Sequence, residues 1–173
     1  MTPSLAWRVR TGLLALLLWH TPLLAQGLGE DDLKAQVVLR ALLFFDWPTG
    51  VMEATQPMLL CLAAPGSFAA ALERVRGAVI NGHRLEVRRV AASELRTCHL
   101  AYVGPAEAEA LQGRSGSTVL LGDAHGLLDR GVVLNLQTDQ NRVVFDINLA
   151  AARRAGVQIS ARLLRLARYV RQD

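Results

Sequence analysis

The spacing of apolar residues changes several times along the chain, and each change predicts a different element. Between Glu30 and Phe45 apolar residues recur at intervals of three and four, which predicts an amphipathic helix. Its predicted buried face carries Leu33, Val37, Ala41 and Phe44 or Phe45. Pro48 closes the following stretch "FFDWP" and pushes the residue before it toward an extended conformation, so the helix is expected to end there.

Short apolar runs then alternate with helical patterns. The runs "LLCLAA", "CHLAYVG" and "STVLLGD" are typical of buried strands, and "SFAAALERVRG" and "PAEAEALQG" between them are typical of helices. After the tight turn Asn81-Gly82, "HRLEVRRV" alternates as a half-buried strand does. Strands that alternate with helices favour a parallel sheet with crossover connections.

The last third of the chain has a different pattern. The segment "GVVLNLQTDQNRVVFDINL" predicts two strands joined by a polar turn at residues 138–141. Asn148 is expected to cap a short helix, and Ser160 is expected to open a helix that runs to the end of the chain. The predicted fold is therefore a single α/β domain with a central, largely parallel sheet and flanking helices. Its first half is Rossmann-like, and a β-hairpin and C-terminal helices follow.

Residues 1–25 have the organisation of a secretory signal peptide. Arg8 and Arg10 precede a mostly apolar run that His20 and Pro22 interrupt, and Ala25 offers a small residue for cleavage. The run is short for a membrane span, although an uncleaved anchor is the alternative. We therefore expect residues 26–173 to form an exported domain that does not itself span the membrane.

Cleavage would lower the net formal charge from +4 to +2, which gives no reason to expect a nucleic-acid partner. The positive charge is uneven, because arginines concentrate near the C-terminus at positions 153, 154, 162, 165, 168 and 171. Three interpretations of this basic segment are open: a solvated outer face, a surface that docks on a protein, or a surface attracted to anionic lipid.

Cys61 and Cys98 are the only cysteines. An even pair in an exported chain favours a disulfide, and the alternative is two buried free thiols. One geometric difficulty opposes the disulfide. Cys61 falls late in its predicted strand and Cys98 opens another, so parallel pairing would separate them along the strand direction.

No pattern in the sequence predicts catalysis. The glycine spacings match neither a phosphate-binding loop nor a dinucleotide site, and His83, His99 and His125 are scattered, so neither a cofactor nor a metal is expected. Asp123 and His125 share a loop after a predicted strand, where active sites of parallel sheets occur. A glycine-permitted polar turn explains "GDAHG" more simply, and no catalytic residue is assigned.

Order and spacing over nearly the whole expected mature chain resemble the YfiR-like family (DUF4154). The segments that carry the resemblance are "FFDWP", "LLCLAA", "GHRLEVRRV", "CHLAYVG", "LLGDAHGLLDRGVVLNL" and "NRVVFDINLAAARRAGVQISARLLRLARYV". The last block is the most specific. Better-known members carry a second cysteine pair that this chain lacks.

The resemblance implies a regulatory protein that is not an enzyme. It would bind the periplasmic sensor domain of an inner-membrane diguanylate cyclase and repress it, which controls cyclic-di-GMP and biofilm formation. The alternatives are a periplasmic small-ligand-binding protein and an accessory subunit of another envelope system.

Two groups of residues are the candidates for binding. The expected partner-binding residues, chosen from the block with the densest resemblance, are Arg153, Arg154, Ile159, Arg162 and Arg165. Phe44, Phe45 and Trp47 either plug the end of the core or form a pocket, a dimer interface or a partner interface.

Overall fold

The computed structural model describes residues 29–52, 56–111 and 115–173. The predicted signal peptide, residues 1–25, lies outside this range and stays a prediction. Within the described residues, no helix has the length and apolar character needed to cross a membrane.

The elements are numbered in chain order. The strands are β1 (Phe45–Asp46), β2 (Met58–Leu62), β3 (Val79–Ile80), β4 (His83–Arg89), β5 (Leu100–Tyr102), β6 (Val119–Gly122), β7 (Leu134–Asp139), β8 (Arg142–Asn148), β9 (Gln158–Ile159) and β10 (Tyr169–Arg171). The α-helices are α1 (Glu30–Leu42), α2 (Ser67–Arg74), α3 (Pro105–Ala110), α4 (Leu149–Arg154) and α5 (Ala161–Leu164). Two 3-10 helices span Ala92–Thr97 and Leu128–Arg130.

Eight strands form one sheet in the order β10-β8-β7-β6-β5-β2-β4-β3. The pairs from β7 through β6, β5 and β2 to β4 are all parallel, and the antiparallel neighbours are β7 with β8 and β4 with β3. The predicted single α/β domain with a mainly parallel sheet and flanking helices is confirmed.

The helices cover the two faces of the sheet and create two core clusters. On one face, α1 and α2 pack over strand residues that include Leu60, Leu85 and Leu121. On the other face, α3 and the first 3-10 helix pack over a smaller cluster that includes Cys61 and Leu120. Apolar strand residues thus face both ways, as a parallel sheet covered on both sides requires.

Helix α1 begins where predicted, with three acids in its first turn, but it ends at Leu42 and not at Phe45. Its buried residues include Ala35, Val38 and Leu42, whereas Leu33 is 43% exposed, so the predicted buried face was rotated by about one position. The helix stops early because the backbone of residues 44–46 pairs with β9 instead of continuing the helical turns.

The hairpin and the two C-terminal caps form as predicted. β7 and β8 pair along their lengths, and the connecting residues Gln140 and Asn141 adopt positive φ angles, which suits a tight hairpin turn. The Asn148 side chain accepts a hydrogen bond from the Ala151 N–H at 2.8 Å, and Ser160 accepts from the Arg162 N–H at 3.2 Å. Both side chains therefore satisfy helix N–H groups that would otherwise lack a partner.

The prediction of a helix to the end of the chain is wrong. Helix α5 ends at Leu164, and the following residues form β10, which pairs in parallel with β8. Two contacts to β8 draw the chain away from the helical path: the Arg168 N–H donates to the Phe145 carbonyl, and the Arg168 guanidinium binds the Asp146 carboxylate. Val170 pairs with Ile147 of β8 and is partly buried.

Cys61 and Cys98 form a disulfide, with Cα atoms 6.0 Å apart. The parallel register pairs Cys61 with Ala101, so a Cys98 in line with β5 would lie several residues away. Cys98 instead follows the 3-10 helix Ala92–Thr97, whose Leu95 packs in the same core cluster as Cys61. Cys98 therefore reaches Cys61 from the face of the sheet, and the expected separation along the strand direction does not arise.

Candidate functional site

Two places on the molecule have the polar and aromatic side chains that a binding site needs. The first is the crevice at the carboxyl ends of β2 and β5. The chain leaves β2 toward β4 on one side and leaves β5 toward β6 on the other, so the direction of the sheet connections reverses between them. Open α/β sheets bind ligands at such a reversal.

The side chain of Lys34, from α1, fills this crevice. Its Nζ lies 2.9 Å from a Glu30 oxygen, 3.5 Å from Asp31 and 3.8 Å from Asp123. It also lies 6.0 Å from the centre of the Phe68 ring. Burial opposes the charged ammonium, but the contacts with the three carboxylates outweigh it and raise the pKa of Lys34.

Tyr102, at the end of β5, completes the cluster. Its hydroxyl donates to Asp123 Oδ1 at 2.9 Å, and its ring meets Phe68 edge-on with centroids 5.2 Å apart. Burial first, and the Asp123 carboxylate second, raise the pKa of Tyr102 above its ordinary value. Asp123 is thus bound by Tyr102 and Lys34, and the described contacts include none between Asp123 and the exposed His125.

The second place is the two-stranded ribbon of β1 and β9, named here the β1–β9 ribbon. Phe45 pairs with Ile159 and Asp46 with Gln158, and the Ser160 N–H donates to the Phe44 carbonyl at 3.0 Å. The structure therefore joins the two sets of residues that the sequence indicated separately, the aromatics of "FFDWP" and the C-terminal block.

The three aromatics differ in burial and in contacts. Phe45 is 1% exposed and belongs to the core, as expected of a plug. Phe44 and Trp47 are partly buried and pack against the same core cluster. The Phe45 and Trp47 rings lie 5.9 Å apart, and the Arg162 guanidinium lies 5.7 Å from the centre of the Phe44 ring, within cation–π range.

A groove of about 250 Å³ lies beside the ribbon. It is lined by Phe45, Asp46, Trp47, Pro48, Thr49, Met52, Asn81 and His83. The indole Nε1 of Trp47 is buried and has no hydrogen-bond partner among the described residues. A buried donor without a partner costs about 1–3 kcal/mol, so the ribbon carries hydrogen-bonding capacity that the fold leaves unused.

The remaining arginines of the candidate set do not gather at the ribbon. Arg153 and Arg154 are exposed near the end of α4, and Arg154 lines a different cavity, of about 300 Å³, together with Arg130. Arg165 follows α5, is exposed, and makes no ion pair with a described residue. Of the five residues, Ile159 therefore lies in the ribbon, and Arg162 lies beside it over the Phe44 ring.

Lys34 is the residue that the sequence did not indicate. It lies in a helix with acids one turn before it, which is usual for an exposed lysine, and Asp123 is distant in sequence. Lys34 belongs to the crevice because its side chain lies close to Asp123 and the Phe68 ring, and no sequence motif indicates this. Across residues 29–52, 56–111 and 115–173, no group of three or more histidine, cysteine or carboxylate side chains is arranged to hold a metal ion.

Comparison with known proteins gives a family match. The sequence model of the YfiR/HmsC-like family (DUF4154) matches residues 31–168, which is most of the chain. No curated protein matches the chain significantly.

Two solved structures show similarity to this chain. A conserved domain protein from Vibrio cholerae is 12% identical, with 82% of this chain and 60% of that chain covered and a TM-score of 0.55. The ABC domain in complex with L-Trp from Streptococcus pneumonia is 14% identical, with coverages of 67% and 55% and a TM-score of 0.43. This chain thus spans less than two thirds of either solved chain, and the first of them shares the overall fold.

Proposed function

Since this chain belongs to the YfiR/HmsC-like family, we propose that it binds the periplasmic part of a membrane-bound diguanylate cyclase and holds that enzyme inactive. Release of this hold would raise cyclic-di-GMP in the cell and promote biofilm formation. In this proposal the chain is a regulatory binding protein and performs no chemistry of its own.

The observation that carries the proposal is the β1–β9 ribbon. It presents the half-buried Phe44 and Trp47 beside the exposed Arg162 on one supported piece of backbone. Tryptophan, tyrosine and arginine are the residue types that contribute most to binding energy at protein interfaces. We infer that the ribbon and its flanking arginines contact the cyclase.

The proposed location is the periplasm. The predicted signal peptide would export the chain, and the Cys61–Cys98 disulfide suits an oxidising compartment. A periplasmic location would also bring the protein to the sensor domain of an inner-membrane partner.

A double charge reversal, Arg162→Glu with Arg165→Glu, tests the proposed surface in cells that carry the cyclase. Both side chains are exposed, so the thermal midpoint should change little. Arginine suits pairing with carboxylates of a partner, and glutamate at both positions would repel them. Loss of a central anchor costs about 2 kcal/mol, or roughly thirtyfold in affinity. We expect cyclic-di-GMP to rise toward the level of a strain without the protein.

The matched control is Arg96→Glu with Arg142→Glu, which changes net charge equally at exposed positions outside the ribbon. It should leave cyclic-di-GMP at the wild-type level. A folded Arg162→Glu/Arg165→Glu variant that still represses would place the repressing surface elsewhere. If deletion of the whole gene leaves cyclic-di-GMP unchanged in a strain with the cyclase, the repressor function itself is wrong.

The alternative function is that of a periplasmic small-ligand-binding protein. The observation that supports it is the groove beside Trp47. At about 250 Å³ the groove is smaller than the 300–1,000 Å³ that is usual for small-molecule sites. We therefore place protein binding first, and ligand binding would be favoured if intrinsic Trp47 fluorescence shifted with a periplasmic metabolite extract.

A further inference from the structure

A cavity of about 300 Å³ is lined by residues of α4, β6 and the second 3-10 helix, and we name it the α4 cavity. Its volume reaches the lower end of the range of about 300–1,000 Å³ that is usual for small-molecule sites. None of the described residues that line it belongs to the β1–β9 ribbon or lines the groove beside Trp47. The α4 cavity is therefore a separate place on the molecule.

One wall of the α4 cavity is apolar. It consists of Leu111, Leu120 and Ala151, and all three side chains are buried. Leu111 and Leu120 belong to the smaller core cluster and Ala151 to the larger one. Because the two clusters hold these residues in place, the apolar wall exists before any ligand binds.

Arg130 supplies the first positive charge of the α4 cavity. Its Nη1 donates to the Pro105 carbonyl at 3.0 Å and to the Glu109 carboxylate at 3.3 Å. Both contacts use the same nitrogen, so Nε and Nη2 have no partner among the described residues. A guanidinium carries five N–H donors in a planar fork. Arg130 is thus anchored to α3 and keeps donors for a further acceptor.

Arg154 supplies the second positive charge. It is the last residue of α4, is exposed, and makes neither a hydrogen bond nor an ion pair with a described residue. A basic residue at this end of a helix also interacts with the helix dipole, which Arg153 can do equally. Only Arg154 of the two lines the cavity, and none of the described lining residues is acidic. The cavity therefore favours a ligand with negative charge.

We propose that the α4 cavity binds a small molecule that carries an oxyanion, a carboxylate or a phosphate, on a short apolar body. Arg130 and Arg154 would pair with the oxyanion, since guanidinium groups suit the geometry of both anions. The apolar body would lie against Leu120 and Ala151. This inference goes beyond the proposed function and does not depend on it.

The test is a titration of the exported protein with benzoate, which carries a carboxylate on an apolar ring. Amide NMR signals of Leu120, Gly131 and Ala151 report the cavity. Benzyl alcohol has the same ring without the charge, and inorganic phosphate has the charge without the ring. We expect saturable shifts with benzoate and at least about tenfold weaker binding of benzyl alcohol, because the alcohol forms no ion pair. Phosphate should also bind more weakly, since it covers no apolar surface.

Arg154→Gln, compared with Arg153→Gln, locates the binding. Both variants lose one positive charge at adjacent exposed positions at the end of α4, so their thermal midpoints should be similar. Arg154→Gln should weaken benzoate binding about tenfold, because one of the two cations is removed. Arg153→Gln should leave it nearly unchanged, since Arg153 does not line the cavity.

Three results would overturn the site: no benzoate shift at the three amides, binding of benzoate no tighter than that of benzyl alcohol, or equal weakening by the two variants. Phosphate binding as tight as that of benzoate would contradict the apolar part of the specificity. No cyclase is present in these titrations, so a negative result leaves the proposed repressor function intact.

Discussion

The crevice and the β1–β9 ribbon use similar side chains in opposite ways. In the crevice, Lys34 is surrounded by three carboxylates, and Tyr102 donates to one of them. At the ribbon, Arg162 lies over an aromatic ring without a carboxylate partner among the described residues, and the Trp47 N–H is unpaired there. The crevice satisfies its polar groups internally, and the ribbon leaves two of its polar groups without such partners among the described residues.

The place where this fold commonly binds ligands is therefore not the surface that we propose for binding the partner. The reversal point of a parallel sheet is where α/β proteins commonly bind small molecules. Here that position is closed by the chain's own Lys34, so the crevice contributes to stability. Substitutions in the crevice should therefore change the free energy of unfolding, and substitutions at the ribbon should chiefly change binding.

The largest expected effect concerns the disulfide, which joins β2 to the segment leading into β5, the two strands beside the crevice. Cys61→Ser with Cys98→Ser should lower the free energy of unfolding by about 4 kcal/mol, because the disulfide closes a loop between residues 37 apart in sequence. Urea denaturation measures this. A reductant should lower the midpoint of the wild type and not that of the double variant; an equal response in both would contradict the prediction.

Lys34→Met should destabilise the protein by about 2 kcal/mol, because the three carboxylates lose the cation that compensates them while they stay partly in contact with water. The methionine keeps the apolar stem, so the loss reports the charge. Asp123→Asn is the companion variant, since it keeps an oxygen for the Tyr102 hydroxyl and removes one of the three acids. Its effect should be smaller. If Lys34→Met is as stable as the wild type, the crevice is not a stabilising cluster.

At the ribbon, Trp47→Ala should cost about 2 kcal/mol, less than the 3–5 kcal/mol typical of a fully buried aromatic, because Trp47 is half-buried. Trp47→Phe should cost less still, since it removes the unpaired N–H along with the outer ring. Thermal melts and binding to the cyclase domain are measured on the same variants. A loss from Trp47→Ala as large as that from Phe45→Ala would assign Trp47 to the core.

The smallest expected effect is a pH dependence at the other end of the sheet. His99 Nδ1 accepts from the Leu59 N–H at 2.9 Å, so it must be unprotonated there. Burial, and secondarily His83, lower the pKa of His99, while a backbone contact with Val51 opposes them. The unfolded chain therefore takes up the proton first. Stability should be complete above about pH 6.5 and decrease as the pH falls toward the lowered pKa.

His99→Asn is the control for this pH dependence, because its side-chain oxygen can accept the same N–H without titrating. Melting temperatures between pH 7 and pH 5 should fall more steeply for the wild type than for this variant. Equal slopes would assign the pH dependence to other groups.

Much of the fold follows from local patterns in the sequence. The apolar runs that became β2, β5 and β6, the hairpin turn and the Asn148 cap all depend on interactions within a few residues, which periodicity and turn chemistry report. By contrast, the position where α1 ends and the conformation of residues 165–171 depend on contacts with residues distant in sequence. Helix α1 ends at Leu42 because the next residues pair with β9, and residues 169–171 are a strand because they pair with β8; no local pattern contains that information.

Several individual residues of the candidate site could be predicted from the sequence, but their contacts with one another could not. Phe45 and Ile159 were both indicated by sequence, but their pairing requires the tertiary fold. Lys34 gave no signal, since the spacing of Glu30 and Lys34 is that of a common surface ion pair. Its importance comes from Asp123, which reaches it from another element.

The ribbon also has a consequence for the timing of synthesis. β1 and β9 are more than a hundred positions apart along the chain, so their contact is among the least local in the molecule. By the time β7 has been made, all five strands of the parallel core, β4, β2, β5, β6 and β7, are present, but β9 is not. A nascent or truncated chain that stops before residue 158 can therefore build its core without displaying the ribbon. If the ribbon binds the partner as proposed, fragments that end before residue 158 should not bind it.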